Sequence, residues 1–122
     1  HTPLTDLTKG MADKEFFNMM KKGSSIYNTA RGEIINLMAL YEALKEGRIK
    51  WAGLDVLEQE PIDYSHPLIK SWKTRESWID GRLVITPHAA FYNNKSFEEM
   101  QLKAVDEIKR IVKGRKPLNR VN

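Results

Sequence analysis

Apolar positions along the chain fall at helical spacing in some stretches and in short contiguous runs in others, with turn residues between them, so helices and strands should alternate. Residues 11–22 read as a helix, with Phe16, Phe17, Met19 and Met20 as its apolar stripe and Gly23 as a C-terminal stop. Residues 25–28 then read as a strand. Asn36 is placed to cap a second helix through residue 46, on which Leu37, Leu40, Tyr41 and Leu44 share a face and Gly47 lies just past the end. Residues 52–56 form the next strand, and residues 57–82, with scattered charges and prolines, read as a long loop leading into a strand at 83–86. A last helix spans about residues 94–113, with Phe97, Met100, Ala104, Ile108 and Ile111 along one side, and a tail follows from 115 to 122.

Parallel strands need crossovers, usually helical, so this alternation predicts an α/β fold with a parallel sheet. A sheet of only three such strands is small for a doubly wound arrangement, in which both faces are covered. The chain therefore reads as the second half of one, with a C-terminal helix and tail, and missing strands would leave an exposed edge. The segment 70–82 looks long for its place and reads as a surface insertion or a partner contact.

Composition narrows the picture in a few respects. The 122 residues suffice for one domain or a piece of a larger one, and a first residue other than methionine suggests an internal start. No apolar run approaches the roughly 18 residues of a membrane span, and no secretory leader is visible, so a cytoplasmic protein without a membrane partner is expected. Cysteine is absent, which removes disulfides, a thiolate nucleophile and cysteine-bound zinc and fits a reducing compartment. The net charge of +4 comes from interleaved signs, and the basic cluster Lys109, Arg110, Lys113, Arg115 and Lys116 suits a helix C-terminus, so no nucleic-acid partner is expected. The three histidines lack metal-ligand spacing.

The candidate chemistry lies in the stretches Asn28-Thr29-Ala30-Arg31-Gly32, Asp55 to Pro61 and Thr86-Pro87-His88-Ala89-Ala90. An arginine can grip a carboxylate through parallel hydrogen bonds, a histidine can pass a proton to a neighbouring carbonyl oxygen, and a glutamate can orient and charge that histidine. Arg31, His88 and Glu60 would together suit reduction of a keto acid. Each also has a plainer reading: Arg31 as a turn residue pairing locally with Gly32 supplying a positive φ, His88 as a satisfied strand-end histidine, Glu60 as a solvated loop residue with Glu58 as a nearby alternative. Asp55, inside an apolar strand, needs a partner if buried. His1 and His66 read as structural or exposed. No glycine-rich dinucleotide loop occurs: the glycines stand isolated.

These ordered motifs, with His1-Thr2-Pro3-Leu4-Thr5 and Gly53-Leu54-Asp55-Val56, resemble over nearly the whole chain the C-terminal part of the D-isomer-specific 2-hydroxyacid dehydrogenases. Within that superfamily, His88-Ala89-Ala90-Phe91-Tyr92, the helix around Glu98-Glu99-Met100 and the ending Val121-Asn122 resemble the branch that includes the C-terminal-binding proteins, which are dehydrogenase-like corepressors. The resemblance implies a Rossmann-like sheet, with residues 1–92 as the C-terminal half of a dinucleotide-binding domain and 93–122 as a helix and tail returning toward a substrate domain. It implies Arg31, Glu60 and His88 as catalytic residues, with Arg31 and Phe91 toward the substrate. It also implies cofactor contacts from Thr2, Pro3, Leu4, Thr8, Thr29, Ala30, Arg31, Asp55 and His88. The implied cofactor is NAD, with NADP open, and the implied partners are a small 2-keto or 2-hydroxy acid, the missing N-terminal part of the same protein, and a second copy in a homodimer. Phe91 stands where the corepressor-like branch more often has tryptophan. The alternative function is a nucleotide-regulated, corepressor-like interaction module; this piece alone should bind dinucleotide poorly and not turn over.

Overall fold

The computed structural model describes residues 1–120; the Val121-Asn122 ending lies outside the described residues. The elements run α1 (Lys14–Met19), β1 (Ser24–Asn28), a single 3₁₀ turn (Gly32–Ile34), α2 (Leu37–Lys45), β2 (Ile49–Leu54), α3 (Pro67–Lys73), β3 (Leu83–Ile85) and α4 (Asn94–Val112). The chain divides into two compact units, His1–Ala90 and Phe91–Asn122.

In the first unit the three strands form a parallel sheet in the order β1-β2-β3, as the strand and helix alternation requires. Ile26 pairs with Ala52 and Ala52 with Leu83, and two residues on Asn28, Leu54 and Ile85 fall in line. Because side chains alternate across a strand, these residues share one face. That face meets a core that includes Phe17, Leu40, Leu44, Ile49, Leu68, Ile69 and Ile79. The opposite face carries Tyr27, Gly53 and Val84, of which Tyr27 and Val84 are exposed along with Trp51. Tyr27 lies against Gly53 so closely that a Cβ at that glycine would stand 2.7 Å from the tyrosine ring.

Helix α2 follows its sequence signals. The Asn36 side chain accepts from the Ala39 N–H at 2.9 Å, the apolar stripe buries Leu37, Leu40 and Leu44, and Gly47 beyond the end has φ +71°. Helix α1 is shorter than its apolar pattern suggests. It stops at Met19 with Met20 extended, so Gly23 ends no helix, and Met19 is 80 % exposed. Strand β2 begins earlier than expected, at Ile49, and its ladder ends at Leu54.

The stretch 57–82 is not the long loop its composition suggests. Helix α3 occupies Pro67–Lys73, with proline at its start and the His66 imidazole as cap, its Nδ1 accepting from the Leu68 N–H at 3.2 Å. Burial depresses the His66 pKa and so favours the neutral ring that capping needs. Nor is 70–82 a surface insertion: Ser71 and Ile79 are buried, and Trp72 and Trp78 pack against the core. Arg82 closes the segment. Its guanidinium donates to the carbonyls of Lys50, Trp78, Leu44 and Ile49 at 2.9, 2.7, 2.9 and 2.8 Å, tying the C-terminal end of α2 to β2 and to the approach to β3.

In the second unit α4 is capped by Asn93, whose side chain accepts from the Ser96 N–H at 2.9 Å. None of its residues is buried, and Phe97, Met100, Ile108 and Ile111 are exposed. Among the described residues no helix is long and apolar enough to cross a membrane.

Replacing Arg82 by Met should cost about 2–3 kcal/mol, because the part-buried carbonyls of Leu44, Ile49 and Trp78 lose a charged donor. Arg82→Lys should recover less than half of this, since an ammonium cannot span four acceptors held in a planar fork. Urea unfolding of the three proteins measures both, and a lysine variant as stable as the parent would contradict the role of the fork.

Candidate active site

The C-terminal ends of the strands are drawn together by backbone and side-chain bonds that meet at Asp55. Its N–H donates to the Asn28 carbonyl at the end of β1 (2.9 Å), and its own carbonyl accepts from the His88 N–H beyond β3 (2.8 Å). The side chain is buried, at 4 % exposure. Oδ1 accepts from the Thr86 hydroxyl and from the Ala89 N–H (3.0 Å), and Oδ2 from the Ala90 N–H (2.8 Å). Burial pushes the pKa of this carboxyl up, but the Thr86 hydroxyl and the two amides outweigh it and hold the group below its ordinary value. The partner that a buried Asp55 requires is thus the 86–90 turn.

Asn28, also buried, shapes the turn after β1. Its Nδ2 donates to the Arg31 carbonyl (2.8 Å) and its Oδ1 accepts from the Ala30 N–H (3.0 Å). Gly32 follows, and its role is close approach, not the positive φ considered from sequence: it is absent from the positive-φ glycines, and a Cβ there would stand 1.9 Å from the Leu57 carbonyl carbon and oxygen. The Arg31 turn therefore lies directly on the backbone of the Glu60 loop.

Arg31, Glu60 and His88 line a common pocket of about 350 Å³ with Gly32, Glu33 and residues 56–59. Glu60, not Glu58, is the partner of the imidazole: its Oε2 lies 2.8 Å from His88 Nδ1, and its Oε1 accepts from the Leu57 N–H at 3.1 Å. The imidazole contact, then the Leu57 amide, hold the Glu60 pKa below its ordinary value. An ionised Glu60 is acceptor-only, so Nδ1 carries the shared hydrogen and Nε2 is the nitrogen that can exchange a proton. Arg31 donates through Nη1 to the Ala30 carbonyl at 2.7 Å, and no carboxylate pairs with it among the described residues. His88 itself has φ +53°, a left-handed conformation that a residue with a Cβ adopts at a cost.

The other candidate residues fall in neighbouring depressions. Thr29 and Asp55 line a cleft of about 440 Å³ over the exposed sheet face, with Tyr27, Gly53, Val84, Ala89 and Ala90. This cleft lies at the C-terminal ends of the strands, the expected ligand edge of an open parallel sheet. Thr2 and Ala30 line a smaller hollow of about 230 Å³ with Tyr27 and Ile35. Pro3, Leu4 and Thr8 line neither cleft; the Thr8 hydroxyl donates to the Pro3 carbonyl at 2.7 Å and accepts from the Thr5 N–H at 2.8 Å. Phe91 opens the second unit, its ring edge-on to Tyr92 at 6.3 Å between centroids. Sequence reasoning missed Thr86 and the side-chain role of Asn28. The available signal was a polar residue at each strand end beside the buried Asp55.

Residues 1–90 match the family described as the D-isomer specific 2-hydroxyacid dehydrogenase, NAD binding domain, and the chain belongs to that family. Over all 122 residues it is 38 % identical to a glyoxylate reductase of Korarchaeum cryptofilum, covering 34 % of that protein. A D-isomer specific 2-hydroxyacid dehydrogenase from Lactobacillus delbrueckii ssp. bulgaricus, solved in its NAD complexed form, superposes with a TM-score of 0.81 at 33 % identity over 100 % of this chain and 38 % of that one. A 2-hydroxyacid dehydrogenase of Xanthobacter autotrophicus, in complex with NADPH and MES, gives 0.76 at 32 % identity over 99 % of this chain and 46 % of that one. The chain spans about a third of the length of the curated relatives it matches.

Two outcomes follow for this site. Gly32→Ala should destabilise the chain by about 3 kcal/mol, the upper range for overpacking, because the obstruction is backbone; Gly47→Ala, with open space but φ +71°, should cost only about 1 kcal/mol. Equal losses in urea unfolding would remove the close-approach argument. Second, the folded Asp55 pKa lies below its model-peptide value of 3.8, so its contribution is present above that pH and lost as pH falls toward the folded value. Asp55→Asn should therefore flatten the acid limb of stability below about pH 4, measured by urea midpoints against pH.

Proposed function

We propose that this chain is the catalytic C-terminal part of an NAD(H)-dependent D-2-hydroxyacid dehydrogenase, reversibly reducing a small 2-keto acid together with the rest of a longer protein. The observation that supports it most is the pocket shared by Arg31, Glu60 and His88, in which Glu60 holds Nδ1 and leaves Nε2 to carry the proton. When bound, the dinucleotide supplies the hydride for the carbonyl carbon. The negative charge then developing on the carbonyl oxygen is met by a proton from His88 Nε2, and the ionised Glu60 stabilises the imidazolium that donates it. Arg31 would exchange its solvent-exposed bond to the Ala30 carbonyl for a two-pronged contact with the substrate carboxylate, fixing which face of the keto acid is presented. Thr29, Ala30 and Asp55 would border the nicotinamide, Thr2, Pro3, Leu4 and Thr8 would serve the dinucleotide farther along, and Phe91 would contribute to substrate preference.

The same reading takes residues 93–122 as a helix and tail that return to the substrate domain, supported by the unburied apolar positions of α4. It also takes the whole protein as a cytoplasmic homodimer, in keeping with a sequence free of cysteine. The motifs around His88 and Glu98 favour the corepressor-like branch within the superfamily. A purely regulatory module of that branch would have no need to keep the arginine, glutamate and histidine in one pocket.

The test is NADH consumption by the full-length protein with a panel of 2-keto acids, glyoxylate and pyruvate among them. Turnover should fall by about 10²–10⁴ in His88→Ala, the usual worth of a positioned proton donor, and Arg31→Lys should raise KM for the keto acid far more than for NADH. Tight NADH binding without turnover would overturn the enzyme in favour of the regulatory module.

A further inference from the structure

His88 is the strained point of the site, and its own packing does not hold it there, since the side chain is 47 % exposed. A left-handed non-glycine residue persists only where its surroundings over-determine it. Those surroundings are traceable bond by bond. The Thr86 N–H closes the β2–β3 ladder on the Leu54 carbonyl at 2.9 Å, Pro87 offers no N–H, and the His88 N–H returns to the Asp55 carbonyl at 2.8 Å. On the far side of His88 the Ala89 and Ala90 amides end on the two Asp55 oxygens. What orients that carboxylate from the near side is the Thr86 hydroxyl on Oδ1.

We propose that Thr86 is a positioning residue for His88: its hydroxyl fixes the Asp55 carboxylate, which clamps the two amides after His88 and so aims the imidazole at Glu60. Threonine suits the task because its branched Cβ restricts χ1 and leaves the hydroxyl little freedom to turn away. The hydroxyl also serves as one of the donors that allow Asp55 to remain ionised when buried. With a neutral Asp55 the clamp would lose its charge-assisted bonds, which are roughly twice as strong as neutral ones. The Thr86 hydroxyl bonds to Asp55 and to neither Glu60 nor the ring, and the Thr86 carbonyl accepts from the His88 N–H at 3.0 Å, so its effect on chemistry would pass through the turn. The inference rests on the dehydrogenase reading only in taking His88 as the reacting group.

The experiment uses the full-length protein labelled with ¹⁵N-histidine, the His88 resonances being assigned by their loss in His88→Gln, and amide hydrogen exchange over residues 86–92. At a pH where the ring is neutral, the parent should show the hydrogen on Nδ1. Thr86→Val should move the ring toward a mixture of tautomers and accelerate exchange at the 89 and 90 amides by about tenfold or more, the loss expected for one charge-assisted hydrogen bond. Thr86→Ser should restore most of both. A parent-like tautomer and parent-like exchange in Thr86→Val, or no recovery in Thr86→Ser, would overturn the proposal. Should Thr86→Val also lose protection in α2, the same readouts on Asp55→Asn decide, and an unshifted ring there overturns it. Neither readout needs turnover, so a protein that binds NADH without reducing keto acids would sink the dehydrogenase reading and leave this one standing or falling on its own.

Discussion

The ends of the three strands must stay in register for Arg31, Glu60 and His88 to share a pocket, and the buried carboxylate of Asp55 is the group at which those ends meet. Its N–H reaches β1, its carbonyl reaches His88, and its side chain collects the turn after β3. Burying a carboxylate is expensive unless its lone pairs are satisfied by good donors. Here one hydroxyl and two amides satisfy them, so the cost of desolvation is offset by the same bonds that shape the turn. Folding and site assembly are therefore a single event at this position. The depressed pKa of Asp55 expresses that coupling: the donors that order the turn are those that favour the charged form.

Two long-range contacts complete the frame. Gly32 lets the backbone after Arg31 lie on Leu57, which brings the turn after β1 to the loop after β2 without any side chain between them. At the other end of the sheet, Arg82 gathers carbonyls from α2, β2 and the segment before β3. One contact works through the absence of a side chain and the other through a long, multiply bonded one. Both solve the same problem, which is to fix loops whose sequence neighbours do not fix them.

Much of this was legible in the sequence, for identifiable reasons. Helix α2 declares itself through Asn36, its apolar stripe and Gly47, all local signals, and β1 and β3 through short apolar runs. The parallel sheet follows from alternation alone. The meeting of Arg31, Glu60 and His88 was expected from ordered motifs, with Glu60 preferred over Glu58 from the resemblance, and the structure adds the contact itself, Glu60 Oε2 on His88 Nδ1. Helix α3 was hidden because it is short and capped by His66, a residue seldom read as a cap. Thr86 was hidden because its partner lies 31 residues away, and the long reach of Arg82, up to 38 residues, was hidden in the same way. Gly32 was seen, but its purpose was not: a turn glycine and a close-approach glycine look alike until the second backbone is in place.

The backbone of His88 carries a separate argument for chemistry at this position. A residue with a Cβ at φ +53° gives up about 1–2 kcal/mol relative to glycine. Packing does not repay this, because the ring is half exposed and its side-chain partner is Glu60, itself 41 % exposed, in a contact too well solvated to contribute much. Glycine would suit the turn better, and the clamp on the flanking amides would hold it equally well. Histidine at this point makes sense only if the imidazole is wanted where the strained turn puts it, with Nδ1 on a carboxylate and Nε2 in reach of a pocket that also holds a guanidinium. The strain thus supports the proposed role of His88 independently of the family likeness.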